Sequence, residues 1–320
     1  MNKISKTTPT SGNKPRIVFF GNERIATSTS TLCPTLQKLI IEGYDIAAVV
    51  VNHEESVSRN RRKLEIADLA ARYKIPVLAP KRLRDIANEL KNLAADAGIL
   101  VAYGKMVPQD MIDIFPAGII NIHPSLLPLH RGSTPIESVI LAGENQTGVS
   151  LMRLVSDMDA GPIYAYSIVA LEGNESKQHL ANELIEIGSE MLLATLPKII
   201  NKEITGAPQD PTLATFDQLI TKQDGILDFS RPATQLEREV RAYLGWPGSR
   251  TTIAGKDVVV TAVHVADNSL ENVDKKTIFV ANKQLCIQAA DGILVIDELK
   301  PAGKSAMSAA AFLAGYRHLL

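Results

Sequence analysis

The chain lacks long apolar runs. No stretch approaches the roughly 18 consecutive uncharged apolar residues that a bilayer-spanning helix needs. The opening dozen residues, MNKISKTTPTSG, carry no apolar core of the secretory kind. A cytoplasmic protein without a membrane partner is therefore expected. Cysteine is nearly absent: Cys33 and Cys286 are the two in the chain, far apart, with neither a CxxC spacing nor a His-rich neighbourhood. That argues against a disulfide scaffold and a thiolate metal site. Charge of one sign is lacking too, since a net charge of −1 gives no global field to attract nucleic acid. Any phosphate-binding surface must be a local cluster. No GxGxxG follows the first apolar segment, which withholds support from a dinucleotide site. Internal repeats and low-complexity tracts are missing as well.

What is present is the composition of a globular chain: 320 residues, 45% hydrophobic and 22% charged, enough for one large domain or two smaller ones. After a polar tail over residues 1–14, RIVFF (Arg16 to Phe20) reads as a buried strand ending at Gly21. PTLQKLIIEG puts Leu36, Leu39 and Ile40 at helical spacing, with Gly43 as the stop. DIAAVVV follows as a strand, KLEIADLAARYK as a helix, IPVL as a strand, LRDIANELKNLAA as a helix and AGILVAY as a strand. This alternation predicts an α/β fold over residues 15–204, a Rossmann-like, doubly wound, mostly parallel sheet. Binding sites in such sheets lie beyond the carboxyl ends of the strands, where VAYG and NIHPSLLP both fall. Residues 205–220 read as a linker. Over residues 221–320, PATQLEREVRAYL predicts a helix, and several short alternating segments predict a small OB-like β-barrel.

The stretch GIINIHPSLLPLHRG, residues 118–132, ends an apolar segment in two polar groups. Asn121 and His123 are two apart, so in extended chain their side chains project to the same side. Pro124 and Pro128 restrict the loop that follows. An amide that donates hydrogen bonds beside an imidazole that manages a proton suits oxyanion stabilisation in acyl transfer. A ring satisfied by nearby backbone fits the same histidine. Downstream, GVSLMRLVSDMDAGPI predicts an alternating strand from Val149 to Val155 that leads into Asp157 and Asp159. Either carboxylate could orient the imidazole and favour its charged form, and either could be a turn residue bonding its own backbone.

Together, NIHPSLLPLHRG and GVSLMRLVSDMDAGPI resemble the signature of the folate-dependent formyltransferases, an N-x-H-x-S-L-L-P loop followed by an Asp in a D-x-G turn. The resemblance implies a catalytic trio of Asn121, His123 and Asp159, the last because it begins D-A-G. It implies 10-formyltetrahydrofolate as formyl-donor co-substrate, and no metal. Folate contacts would come from Val101, Ala102, Tyr103 and Gly104 at a strand end, and from Ser125, Leu126, Leu127 and Pro128 in the loop. Ordinary strand-end and loop packing would also account for these eight. TKQDGILDFSRPATQLEREVRAYLGWPGSRTTIAGK and DELKPAGKSAMSAAAFLAGYR resemble the second half of those members that formylate methionyl-tRNA. The likeness thus runs from about residue 15 to the end. It implies that the acceptor is methionine carried by initiator tRNA, for translation initiation; a monomer is expected. Trp246 and Pro247 are expected to pack the nearby helix onto the barrel.

RNRRK supplies four cations, Arg59, Arg61, Arg62 and Lys63, just after a strand end on the side of the site. They are expected to meet tRNA phosphates, although a solvated loop is the plainer reading. Two departures from the family pattern stand out. Where the family has G-T-x-x-F-A, this chain has Gly21-Asn22-Glu23-Arg24-Ile25-Ala26 and then an insertion of about six residues, which bears on the methionine pocket. The basic loop is shorter than usual and lacks its prolines. Two other functions compete: a nucleotide-sugar N-formyltransferase, which shares the catalytic signature, and a catalytically inactive RNA-binding protein, against which the intact trio speaks.

Overall fold

The computed structural model describes residues 14–52, 64–267, 270 and 276–319. Its first sheet has seven strands, β1 (Arg16–Gly21), β2 (Asp45–Val50), β3 (Val77–Leu78), β4 (Ala97–Val101), β5 (Ile119–His123), β6 (Gln146–Arg153) and β7 (Ile163–Ala170). Their order is β3-β2-β1-β4-β5-β6-β7, parallel from β3 through β5, with β6 antiparallel to both β5 and β7. The chain winds outward from β1 to β3 and then returns to the other side of β1 to lay down β4. That reversal opens a crevice at the carboxyl ends of β1 and β4.

Helices α1 (Pro34–Ile41), α2 (Glu65–Arg72), α3 (Ala87–Asn92), α4 (Gln109–Ile112), α5 (Pro135–Ala142) and α6 (Lys177–Ile200) cover the two faces. The period of two along β1 divides them. Ile17 and Phe19 pack with Leu36 of α1, Ile136 of α5 and Leu184 of α6. Val18 and Phe20 pack with Leu90 of α3, Met111 of α4 and Phe115. Burial on both faces is why these strands read as continuous apolar runs. It also corrects the alternating strand expected over Val149–Val155. β6 is buried on both sides from Thr147 to Met152 and stops at Arg153, so Leu154 and Val155 turn into the crevice. The helix expected over LRDIANELKNLAA begins instead as a 3-10 turn, Leu83–Ile86, before α3.

The C-terminal part is a curled antiparallel sheet of β8 (Ser249–Ile253), β9 (Lys256–Val265), β10 (Ile278–Ala281), β11 (Gln284–Gln288) and β12 (Ile293–Pro301), in the order β10-β11-β12-β9-β8. A short β13 (Met307–Ser308) pairs with β12. Register shifts between β9 and β12 around Glu298 bend the sheet. Against it lie α7 (Ala233–Ala242) and α8 (Ala309–Tyr316), which bury Leu236, Val240 and Phe312 over Val260, Ile287 and Ile296.

α7 joins the two cores. Leu236 and Val240 belong to the C-terminal one, whereas Ala242 and Tyr243 at its end enter the core of the first sheet. Trp246 does not take the packing role expected of it: it is 42% exposed, and Leu236 and Val240 hold α7 on the C-terminal sheet instead. Pro247 does pack, against Gly225. The segment 205–220 has little regular structure beyond a 3-10 turn at Pro211–Leu213, yet it is bonded to the half that holds the first sheet at two bridges, Ala207 with Ile163 and Phe216 with Arg131. Among the described residues no helix is long and apolar enough to cross a membrane.

Candidate active site

The crevice at the switch point is a cleft of about 680 Å³, the size of a small-molecule site. Its walls include residues between Asn22 and Thr27 after β1, Ala102–Val107 after β4, the end of β5, residues between Gly132 and Pro135, residues between Leu154 and Asp159 after β6, and Asp217 and Leu219 from the segment 205–220.

β5 delivers Asn121 and His123 to the same side, as its period of two requires, and both line the cleft while shielded from bulk solvent. The Asn121 amide makes no side-chain hydrogen bond among the described residues, which leaves its donors available to a ligand. His123 Nε2 lies 2.9 Å from the backbone carbonyl oxygen of His130. A carbonyl only accepts, so Nε2 carries the proton and Nδ1 faces Asp159 Oδ1 at 3.8 Å. Asp159 is itself pinned. The Gly132 N–H donates to its Oδ2 at 2.8 Å, and Gln209 Nε2 donates to its carbonyl at 2.8 Å. Its φ of +46° is in the left-handed region that Asp tolerates better than most residues. The expectation that Asp159 holds the ring is thus revised: the His130 carbonyl fixes the imidazole, and Asp159 stands opposite the other nitrogen, beyond hydrogen-bond range. Asp157, the alternative carboxylate, is exposed on the cleft rim.

Of the expected folate contacts, Ala102, Tyr103 and Gly104 line the cleft. Val101 does not, being wholly buried in the core beneath the helices. The Tyr103 ring meets Phe20 edge-on at 5.9 Å, and burial pushes its phenol above the usual range. Ser125, Leu126, Leu127 and Pro128 do not reach the cleft wall. Ser125 Oγ donates to the Leu129 carbonyl at 2.7 Å, Ser150 Oγ donates to the Ser125 carbonyl at 2.8 Å, and the Leu127 N–H donates to Ser150 Oγ at 3.1 Å. Leu126 fills the space above Gly148, where a Cβ would come within 2.4 Å of its Cδ2. The loop's apolar bulk finds its partner on the sheet, so the loop shapes the turn leading to His130 and leaves the cleft to other residues. Arg59, Arg61, Arg62 and Lys63 lie outside the described residues.

Similarity to known proteins points the same way. Residues 16–196 match the formyl transferase family model, and residues 219–317 match the model of the formyl transferase C-terminal domain. The methionyl-tRNA formyltransferase of Roseiflexus castenholzii is 38% identical over 307 residues, 94% of this chain and 96% of the relative. That of Chloroflexus aggregans is 37% identical over 94% of this chain and 97% of the relative. This chain belongs to the methionyl-tRNA formyltransferase family. Two solved structures of low identity share its fold. HypX from Aquifex aeolicus in complex with tetrahydrofolic acid has a TM-score of 0.65 and 17% identity, covering 95% of this chain and 48% of that one. The N-formyltransferase from Helicobacter canadensis, in complex with folinic acid and dTDP-3-aminofucose, has a TM-score of 0.64 and 17% identity, covering 88% and 98%.

In this formyltransferase the departure after β1 has a structural role. Ile25, Ala26 and Thr27 wall the cleft, and Glu23 is buried beneath them. Its two carboxyl oxygens accept the N–H groups of Thr35 at 2.9 Å and Leu36 at 2.8 Å, so Glu23 caps α1 from outside the helix. Burial pushes this carboxyl up to about 7, against the pull of those donors. The Thr27 N–H and Oγ1 donate to Glu137 Oε1 at 2.7 and 2.6 Å, and Lys177 Nζ donates to Thr27 Oγ1 at 3.1 Å. Glu23, Glu137, Lys177 and Gln209 were missed by sequence reasoning. A charged residue inside a helix or loop pattern reads as solvated, so nothing local marks Glu23, Glu137 and Lys177 as buried, and the half-buried Gln209 reads as an ordinary linker residue.

Proposed function

We infer that this protein transfers a formyl group from 10-formyltetrahydrofolate to the α-amine of methionine on initiator tRNA. The observation that carries the reading is the convergence of Asn121, His123 and Asp159 on one cleft, in a chain whose two halves both match formyl transferase models.

The neutral amine attacks the formyl carbon, the new N–C bond forms, and negative charge grows on the formyl oxygen. Asn121 donates to that oxygen, and His123 does so when Nδ1 is protonated. Asp159, beside Nδ1, takes up the proton that the amine loses, directly or through water. Collapse breaks the bond between the formyl carbon and N10 of the folate, and N10 receives the proton that Asp159 took up, directly or through water. No covalent enzyme intermediate is required. The cleft offers apolar walls at Met106, Val107 and Leu154 for a planar donor, next to the polar groups at the end of β5. In this reading the curled C-terminal sheet is an OB-like tRNA-binding domain, and Arg59, Arg61, Arg62 and Lys63 contact the acceptor stem.

The test offers the full chain a formyl donor together with either charged initiator tRNA or an amino-sugar nucleotide. Formyl-methionyl-tRNA is the expected product, and formylation of the sugar alone would overturn the reading.

A further inference from the structure

His130 follows the catalytic loop with φ at +57°. Its Nδ1 lies 2.9 Å from Asp217 Oδ1 and its Nε2 lies 2.9 Å from Glu144 Oε1. Ionised carboxylates only accept, so both ring nitrogens carry protons and the ring is an imidazolium gripped from two sides. Glu144 comes from the turn between α5 and β6, and Asp217 from the interdomain segment 205–220. The same segment grips the backbone here. The His130 N–H donates to Thr215 Oγ1 at 2.8 Å, the Arg131 N–H to the Thr215 carbonyl at 2.9 Å, and the Asp217 N–H to the Arg131 carbonyl at 2.8 Å.

One of these bonds reaches the catalytic histidine. The Arg131 N–H and the His130 carbonyl belong to a single peptide unit, which is planar. Fixing the N–H against Thr215 therefore fixes the direction of the carbonyl that receives His123 Nε2–H. A second arm reaches the other flank. Arg131 Nη2 donates to Gln209 Oε1 at 2.7 Å, and Gln209 Nε2 donates to the carbonyls of Asp159 and Gly161 at 2.8 and 2.7 Å.

We propose that the interdomain segment is part of the active-site scaffold, with Asp217 and His130 as positioning residues that hold His123 as its Nε2–H tautomer and aim Nδ1 into the cleft. The proposal rests on the assignment of His123 to formyl transfer. It also ties the catalytic imidazole to the segment that leads into the C-terminal half, so a load on that half reaches the imidazole through Asp217.

The test uses the full chain carrying ¹⁵N-labelled histidine. Asp217→Asn removes the charge at constant size, and His130→Asn keeps a side chain that tolerates the left-handed backbone. The parent should show neutral His123 protonated at Nε2. Each variant should show mixed tautomers and a kcat about 10-fold lower, with the KM for the folate donor held within about twofold, as misplacement of a group acting in the transition state requires. Asp113→Ala is the control, because Asp113 is exposed, lies outside the segment, and among the described residues its carboxylate bonds only Gln109 of α4; it should move neither readout. A parental tautomer and kcat in Asp217→Asn overturn the proposal. So does a fall in kcat with the tautomer unchanged. If His130→Asn fails to fold, Asp217→Asn decides alone. The NMR signal reports on His123 whatever the acceptor, so an error in the functional assignment appears separately, as a parent enzyme that does not formylate methionyl-tRNA.

Discussion

His123 takes its orientation from the backbone of His130, whose carbonyl oxygen accepts its Nε2–H at 2.9 Å. In the role proposed for His123, this bond fixes one nitrogen and leaves the other to face the cleft. Asp159, 3.8 Å from Nδ1, is then a partner for the charged ring only.

Removing either donor at the end of β5 should cost activity and spare the fold, since both side chains face the cleft. Asn121→Ala should lower kcat by roughly 10²–10³-fold, the loss typical of one oxyanion donor. His123→Ala should lower it by roughly 10²–10⁴-fold, as expected for a general acid–base group. Initial rates of methionyl-tRNA formylation and thermal unfolding check both. Parental turnover by the Asn121 variant would remove its assigned role.

Lys177 and Glu137 are buried together with 3.8 Å between their charged atoms, and burial pushes the Lys177 ammonium below its usual range. Lys177→Met strands the Glu137 carboxylate in the core and should destabilise the protein by roughly 3–5 kcal/mol. Adding Glu137→Leu should recover most of that loss. Urea unfolding of the single and double variants measures the difference. A double variant as weak as the single one would mean that packing, not charge, holds the loop of Thr27.

Glu23 predicts a pH dependence of stability. Its folded pKa, about 7, lies above the ordinary value of 4.5 because burial disfavours the carboxylate. The folded state therefore holds the proton more tightly than the unfolded chain. The stability this contributes is complete below pH 4.5 and is lost as pH rises through about 7. Thermal unfolding of the parent should weaken across that window, and Glu23→Gln should flatten the slope while costing about 1 kcal/mol for the impaired helix cap. Equal slopes would place the effect elsewhere.

The clamp on His130 has the same sign. Its hydrogen bond to Asp217, and then the one to Glu144, raises the imidazole above 6.5. Its stabilisation is complete below pH 6.5 and lost as pH climbs through the raised folded value. Asp217→Asn should shift the alkaline loss toward lower pH. A titration of unfolding midpoints detects the shift, and an unmoved alkaline limb would show that Asp217 does not hold the charged ring.

The sequence by itself determined the alternation of strands and helices, the change of character after residue 220, and the pairing of Asn121 with His123 on one side of a strand. These follow from local rules: a period of two or 3.6, turn chemistry, and side-chain spacing. Which aspartate faces His123 was decided elsewhere, by a left-handed turn at Asp159 and the approach of Gly132. The folding of Ser125–Pro128 away from the cleft depended on a gap above Gly148 in β6. The bond between His130 and Asp217 joins residues 87 positions apart, and no spacing rule relates them. Local pattern selects elements because each residue's period and turn preference act within a few positions. The site required tertiary structure because its groups meet only after the sheet order and the path of residues 205–220 bring distant segments together.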